Sequence, residues 1–174
     1  MRKGIRFRLY PTERQKQWFA QCLGCTRLVY NKSLEAWNQT YQQTGTCSMK
    51  QITSLLTQWK ADPELAFLKG VDSMALQQSQ RDLQSAFQNF FAKQAKHPKF
   101  KAKYDGWQSY RTNCQGNSIR IENNKIKLPK VGWVKVRQSM PVGKIHHATI
   151  QRTPTHKNHK RSNAPLWGGV IDIK

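Results

Sequence analysis

The sequence predicts an α+β fold in which a block of helices interrupts a β-rich chain. Two observations carry this. A short alternating segment opens the chain and is followed by a long helical period, and the composition changes after Lys93, beyond which the signals are β. A lone strand ahead of helices needs a sheet to join, so the expectation is a β-barrel with an insert of about three helices. The expected divisions are a first barrel strand over 1–10, a helical insert over 11–95, the rest of the barrel over 96–154 and an irregular tail over 155–174.

Residues 3–10 read as a strand, with Ile5, Phe7 and Leu9 on one face and Arg6 and Arg8 on the other. Pro11 stops it. Thr12 and Gln15 stand at capping-box spacing, and a helical stripe follows: Trp18, Cys22, Cys25, Val29, Trp37 and Tyr41, bordered by Leu34 and ended by Gly45. Ser48 and Gln51 repeat the capping pattern ahead of a second helix with the face Ile52, Leu55, Leu56 and Trp59. Ala61 to Glu64 reads as a loop. A third helix begins near Asp72-Ser73, with Leu76, Leu83, Phe87, Phe90 and Phe91 expected to be buried. Its other face carries Gln77, Arg81, Gln84 and Gln88 at helical spacing. Such a row is either a plain solvated face or one that reads a nucleic-acid groove.

Residues 97–103 form a basic, proline-broken connector. Beyond it Ile119 and Ile121 alternate with charge, Asn123-Asn124 reads as a hairpin turn, and Ile126 and Leu128 resume the alternation. Trp133, Val134 and Val136 suggest another strand, as do residues 145–150.

The 174 residues include 30 Lys or Arg and 9 Asp or Glu, for a net charge of +21. The excess is uneven: residues 1–95 carry a net +7 and residues 96–174 a net +14. Such a surplus calls for a polyanionic partner, nucleic acid ahead of an anionic membrane surface. No apolar run has the length of a membrane span, and no signal-peptide pattern opens the chain. A cytoplasmic protein with reduced cysteines is therefore expected.

Cys22 and Cys25 form a CxxC, but Cys47 and Cys114 are isolated and His156 and His159 lie in the irregular tail. Both cysteines also fall on the apolar stripe of the first helix, which favours core packing over a metal site. His146 and His147 are neighbours in an expected strand, so their rings should face opposite ways. Neither a nucleophile elbow nor a phosphate-binding glycine loop is present. Asp105, Glu122 and Asp172 are the only acids in the last 79 residues. Metal-assisted phosphodiester cleavage needs clustered carboxylates, so no catalytic residue, metal or cofactor is expected. Cations and aromatics are interleaved instead: Phe100, Lys101, Lys103, Tyr104, Trp107, Tyr110 and Arg111, then Lys130, Trp133, Lys135 and Arg137. Cations can contact phosphates while aromatics stack on bases or fill a core.

Several ordered segments resemble the TnpB family of insertion-sequence proteins, also known as OrfB transposases. They are residues 3–12 (KGIRFRLYPT), 27–34 (RLVYNKSL), 76–91 with the pattern LQQSQRDL through AFQNFF, 98–101 (PKFK), 108–112 (QSYRT) and 126–135 (IKLPKVGWVK). The first part of the family is known as a helix-turn-helix domain. The resemblance implies a wedge-type β-barrel with a helical recognition insert, which together hold a guide RNA and read a short DNA motif beside the target. In the family a RuvC-like nuclease and a zinc ribbon follow, and the chain is expected to lack both. The match fades after Thr155. Residues 169–174 are similar, though not in spacing, to the segment carrying the first RuvC acid, and Asp172 is assigned no catalytic role.

Carried over residue by residue, the resemblance implies that Ser73, Gln77, Gln78, Arg81 and Thr112 read the motif. A side-chain amide can bind adenine bidentately in a major groove, which is the chemical reason for glutamine there. Arg111, Lys101, Lys103, Lys130 and Lys135 are the expected phosphate contacts. The partners implied are DNA and a structured guide RNA, bound without cleavage. The alternatives are a nuclease fragment that acts only with a missing catalytic half, and a decayed product with no selected role.

Overall fold

The computed structural model describes residues 3–104, 108–137, 143–153 and 166–173. Asp105, Trp107, His156 and His159 lie outside them. The elements run β1 (Lys3–Tyr10), α1 (Glu13–Thr44), α2 (Met49–Ala61), a 3-10 helix (Pro63–Gly70), α3 (Ser73–Phe91), β2 (Gln108–Asn113), β3 (Arg120–Glu122), β4 (Lys125–Leu128), β5 (Gly132–Val136), β6 (Ile145–Thr153) and β7 (Leu166–Ile173). The chain is α+β and divides into two compact units. One holds residues 1–23 with 104–174, and the other holds residues 24–103. The boundary thus falls inside α1, later than the expected start of the insert at residue 11.

In the first unit, all seven strands join one antiparallel sheet in the order β2-β6-β7-β1-β5-β4-β3. The lone strand finds its sheet at the centre. Lys3 to Arg8 pair with β7, and Leu9 and Tyr10 pair with β5. Among the described residues the outermost strands β2 and β3 are not paired with each other, so the sheet is open where a closed barrel was expected.

The alternation of β1 sorts as its sequence demands. Phe7 and Leu9 are buried, and Arg6 and Arg8 are exposed. Thr12 and Gln15 cap α1 reciprocally: the Thr12 amide donates to Gln15 Oε1 (3.0 Å) and the Gln15 amide to Thr12 Oγ1 (3.3 Å). The Gln15 side-chain amide then donates to the Trp133 carbonyl (2.8 Å), tying the helix start to β5. Phe19, fully buried, lies against the rings of Trp167 and Tyr110 at 5.2 and 6.4 Å. Trp18, expected on the buried stripe, is only half-buried. At its start the core face of α1 is carried by Phe19 instead; beyond it the expected Cys22, Cys25, Val29, Leu34 and Trp37 are buried, joined by Leu23, Thr26, Tyr30 and Ser33. Tyr30, Ser33 and Leu34 fill the double step between Val29 and Trp37, so the buried face is continuous at helical period.

Two expectations of irregular chain are corrected. Within the expected tail, Leu166–Ile173 form β7, which pairs on both sides. Its Gly168 and Gly169 conceal the alternation, yet a side chain at 169 has no room: an added Cβ would lie 2.5 Å from the Phe7 ring and 2.9 Å from the Thr149 carbonyl. The stretch expected as a loop at Ala61–Glu64 instead starts the 3-10 helix. Asp62 caps it by accepting from the Glu64 amide (2.9 Å), and Pro63 suits its first turn. The Asn123-Asn124 turn has φ of 45° and 58°, the left-handed pair that a tight two-residue hairpin requires.

In the second unit, Tyr30, Leu34, Trp37, Ile52, Leu83 and Phe87 form the core. Two polar side chains are sealed within it. Ser79 Oγ donates to the Thr26 carbonyl (2.6 Å), and the Gln80 amide to the Ile52 carbonyl (3.3 Å) and Ser33 Oγ (3.4 Å). They tie α3 to α1 and α2 with hydrogen bonds that no other rotation of α3 reproduces. Phe91, expected in this core, is 63% exposed, Phe90 is half-buried, and Tyr41 is 49% exposed.

Gly169→Ala should lower stability by about 1–3 kcal/mol, because the methyl group must displace both a packed ring and a ladder carbonyl. Chemical denaturation checks this. The partner change Phe7→Leu should recover part of the loss in the double variant.

Candidate nucleic-acid interface

The strand register assembles cations that lie far apart in sequence. Residues directly paired across antiparallel strands point to the same face. One row therefore reads Tyr10, Lys135, Lys125, Glu122, and the next reads Trp133, Lys127, Arg120. The Arg137 amide donates to the Arg8 carbonyl (3.3 Å), placing Arg8 and Arg137 in a third row. All these side chains are exposed except Lys127, which is half-buried. Six cations and one carboxylate, Glu122, thus share a face whose reverse side carries the buried Leu9, Ile126, Leu128, Val134 and Val136. The Arg8 guanidinium lies 5.7 Å from the centre of the Tyr10 ring. A hollow of about 200 Å³ opens beside Trp133, lined by Glu122, Asn123 and Lys125.

Lys125 and Lys135 face each other directly. Like charges in that position destabilise a sheet by a few tenths of a kcal/mol to ~1 kcal/mol. A bound phosphate removes that repulsion. Lys130 is exposed in the β4–β5 turn with φ of 67°, and Arg111 is exposed on the edge strand β2. Through the pairs Arg111 with Thr149, Thr149 with Val170, and Val170 with Arg6, Arg111 and Arg6 stand at opposite ends of one row. Of these cations, Arg111, Lys130 and Lys135 were expected as contacts from sequence. Arg137 was noted in the same basic and aromatic run, whereas Arg8, Arg120, Lys125 and Lys127 are brought to this face only by the register.

Thr112 has a different setting. It is fully buried on β2, and its hydroxyl has no hydrogen-bond partner. From the interior it cannot touch a base edge. His147 Nε2 and Asp172 Oδ2 lie 3.2 Å apart on the outer face of β6 and β7, so the Asp172 carboxylate already has a partner within the sheet. Cys22 and Cys25 are both buried, and burial pushes the Cys25 thiol pKa up. Among the described residues no group of three or more His, Cys, Asp or Glu is arranged to hold a metal ion.

In the second unit, Ser73, Gln77 and Arg81 are exposed along α3 at intervals of four residues. They form one stripe about 12 Å long at the helical rise. Gln88 extends it and Gln84, half-buried, borders it. Ser73 Oγ accepts from the Lys60 ammonium (3.0 Å). Burial lowers the Lys60 pKa, opposed by the Asp72 carboxylate. Gln78 is half-buried and donates to Asp82 Oδ1 (3.0 Å), so its amide is engaged along the helix.

Lys101 is held in place. Its backbone amide donates to Asn31 Oδ1 (2.9 Å), its carbonyl accepts from Asn31 Nδ2 (3.0 Å), and its ammonium lies 4.1 Å from the centre of the Tyr30 ring. Burial lowers its pKa, opposed by Asp82. Lys103 is exposed. Nothing local in the sequence signals the Asn31 clamp, although Tyr30-Asn31 lies within the segment RLVYNKSL over 27–34.

Residues 1–46 match the helix-turn-helix domain of OrfB-type insertion-sequence proteins. They contain β1 and the uninterrupted α1, so a two-helix unit would have to draw on α2. The chain is 44% identical over 147 residues to a "Putative RNA-guided DNA endonuclease" of Streptomyces pristinaespiralis, covering 82% of this chain and 35% of the relative. It is 32% identical over 153 residues to the "Putative RNA-guided DNA endonuclease InsQ" of Escherichia coli K12, covering 87% of this chain and 38% of the relative. It is 34% identical over 112 residues to the "Virulence protein VsdF" of Salmonella dublin, covering 60% of this chain and 90% of that protein. The chain thus spans little more than a third of the length of the two endonuclease relatives.

Thr112→Val should raise stability by about 1 kcal/mol, since it replaces an unpartnered buried hydroxyl by an isosteric methyl. Affinity for every duplex sequence should stay at the wild-type value. Denaturant midpoints and a duplex-binding titration check the two halves. A sequence-selective loss of binding would restore Thr112 as a reader.

Proposed function

The chain belongs to the TnpB/OrfB family of insertion-sequence proteins, and from that premise we propose that it is a nucleic-acid-binding module that contacts DNA and a structured guide RNA without cutting either. The observation that carries the reading is the cationic face of β1, β5, β4 and β3. Its six cations, with Trp133 and Tyr10 among them, suit a phosphate backbone and the unpaired bases it carries. We assign this face and Lys130 to the RNA backbone. The exposed stripe Ser73, Gln77 and Arg81 on α3 is assigned to the DNA motif, because it joins a hydroxyl, an amide and a guanidinium on a helix that a major groove accommodates. Arg111 and Lys103 supply further phosphate contacts. We read the open sheet, with a helical block between β1 and β2 in the chain, as the counterpart of the family's wedge-type barrel.

A second reading takes the chain as the binding portion of an RNA-guided DNA endonuclease. It is favoured by the two relatives of that name, which are far longer than the matched region. In that case cleavage needs acidic groups from elsewhere, since among the described residues no three carboxylates, histidines or cysteines are grouped to hold a metal ion.

The purified chain should bind RNA and DNA with a steep salt dependence, each duplex phosphate engaged adding about −0.9 to the slope of log affinity against log salt. Lys125→Glu with Lys135→Glu should flatten the slope for single-stranded RNA by about 0.7 for each phosphate no longer neutralised. Gel shifts over a salt series, with magnesium present, measure affinity and strand length together. A salt-independent affinity would sink the reading, and specific cleavage by the clean chain would replace it with an enzyme.

Gln77→Ala should cost about 1–3 kcal/mol for the preferred duplex and little for other duplexes, as removal of one base-reading amide does. Competition between the preferred and scrambled duplexes reports this. A uniform loss across sequences would move Gln77 from base reading to backbone contact or folding.

A further inference from the structure

The second unit contains a stack of aromatic rings that the core does not enclose. Tyr41 lies parallel to Trp37, with centroids 5.1 Å apart and planes 8° apart. Trp37 stacks on Phe87 at 4.1 Å and 28°, and Phe87 on Phe91 at 6.1 Å and 21°. Trp37 and Phe87 are buried, whereas the two ends, Tyr41 and Phe91, are 49% and 63% exposed. A core that needed only apolar volume would bury its large rings rather than leave two at the surface.

The surroundings indicate the chemistry of the occupant. Residues 36–61 contain no acid, and residues 83–103 contain five lysines and no acid. His97 meets the rings of Phe90 (5.2 Å), Phe87 (5.5 Å) and Trp37 (6.4 Å) edge-on. That arrangement brings the segment bearing Lys96 and Lys99 beside the stack, and both lysines are exposed. An acidic or purely apolar protein partner would match half of this surface. A ligand with flat apolar faces on an anionic backbone matches all of it.

We propose that the open face of Tyr41 is a stacking platform for an unpaired base of a nucleic-acid strand, with Phe91 as a second platform and the lysines of residues 93–99 holding the flanking phosphates. The incoming base extends the existing series of rings by one. The platform rests on the nucleic-acid reading above, but it specifies single-stranded ligand, because the bases of a duplex present their edges and not their faces.

The test uses the whole chain, a single strand labelled with 2-aminopurine, and an unlabelled duplex of the same sequence. Binding of the wild-type chain should quench the 2-aminopurine. Tyr41→Leu should abolish the quench and weaken single-strand affinity by about 5- to 150-fold, the range for removal of one base–aromatic stack. Duplex affinity and its salt slope should not move, and Tyr41→Phe should behave as wild type because the ring face is what binds. Phe91→Ala, at the more exposed end, should weaken single-strand binding as well, and circular dichroism melts report whether each variant is folded. Wild-type single-strand affinity in both variants overturns the platform, as does an equal loss on single strand and duplex. A dimer dispersed by Tyr41→Leu without any change in strand binding assigns the surface to a second copy and also overturns it. A wild-type chain that binds duplex but no single strand defeats this inference alone, whereas one that binds neither defeats the parent reading.

Discussion

The central position of β1 is the constraint on which the first unit depends. Its first six residues pair with β7 and its last two with β5, so one eight-residue strand serves both halves of the sheet. Its partners lie more than 120 residues away in sequence. Closing so long a loop costs entropy before any contact forms, and sheets built this way fold slowly. Folding of the helical block as a unit of its own shortens the effective loop. The packing of Phe7 over Gly169 then fixes the register, because only a glycine at 169 lets the ring lie flat on β7. A slip of one residue would place Gly168 or Val170 beneath Phe7 and turn Arg6 and Arg8 towards the core.

The register that buries Phe7 and Leu9 also creates the charged face. Once the apolar alternation of β1, β4 and β5 is satisfied inward, the cations of those strands have no choice but to share the other side. Core packing and the charged face are therefore joined by geometry. The same hydrogen-bond ladder that seals Ile126 and Val134 opposes Lys125 to Lys135.

Local features were the most legible part of the sequence. The caps at Thr12 and Ser48, the Asn123-Asn124 turn, the start of α3 at Asp72 and the alternation of β1 all depend on residues within a few positions of one another. Non-local features were less so. Strand β7 was hidden because two glycines interrupt its pattern, and the need for one of them lies in Phe7, more than 160 residues earlier. Phe91 was expected inside because helical period places it beside Phe87, but period alone does not show where the opposing surface ends. Gln80 was overlooked because glutamine in a helix suggests solvent, and only its hydrogen bonds to Ser33 and Ile52 explain its burial. On α3, the exposure of Gln77 and Arg81 on one face was legible from their spacing. Thr112 was assigned to a surface that its strand turns away from, and four of the face's cations, Arg8, Arg120, Lys125 and Lys127, needed the register.

The charge balance of the sheet face argues for a ligand rather than a merely soluble surface. A surface tuned only for solubility intersperses both signs, and the chain does this where it has no evident ligand to hold, as in the Lys16–Glu13 pair at 2.6 Å near the start of α1. On the face of β1, β5, β4 and β3 one carboxylate, Glu122, stands opposite Lys125, and Lys135 on the other side of Lys125 has Tyr10 as its remaining neighbour. Removing two or three of these cations would relieve repulsion without disturbing the inner apolar side. That they stand together on a rigid sheet is the arrangement expected where the compensating charge arrives with the ligand. On the proposed reading, relief of that repulsion by a phosphate would add to binding, and more so at low salt, where counterions screen it least.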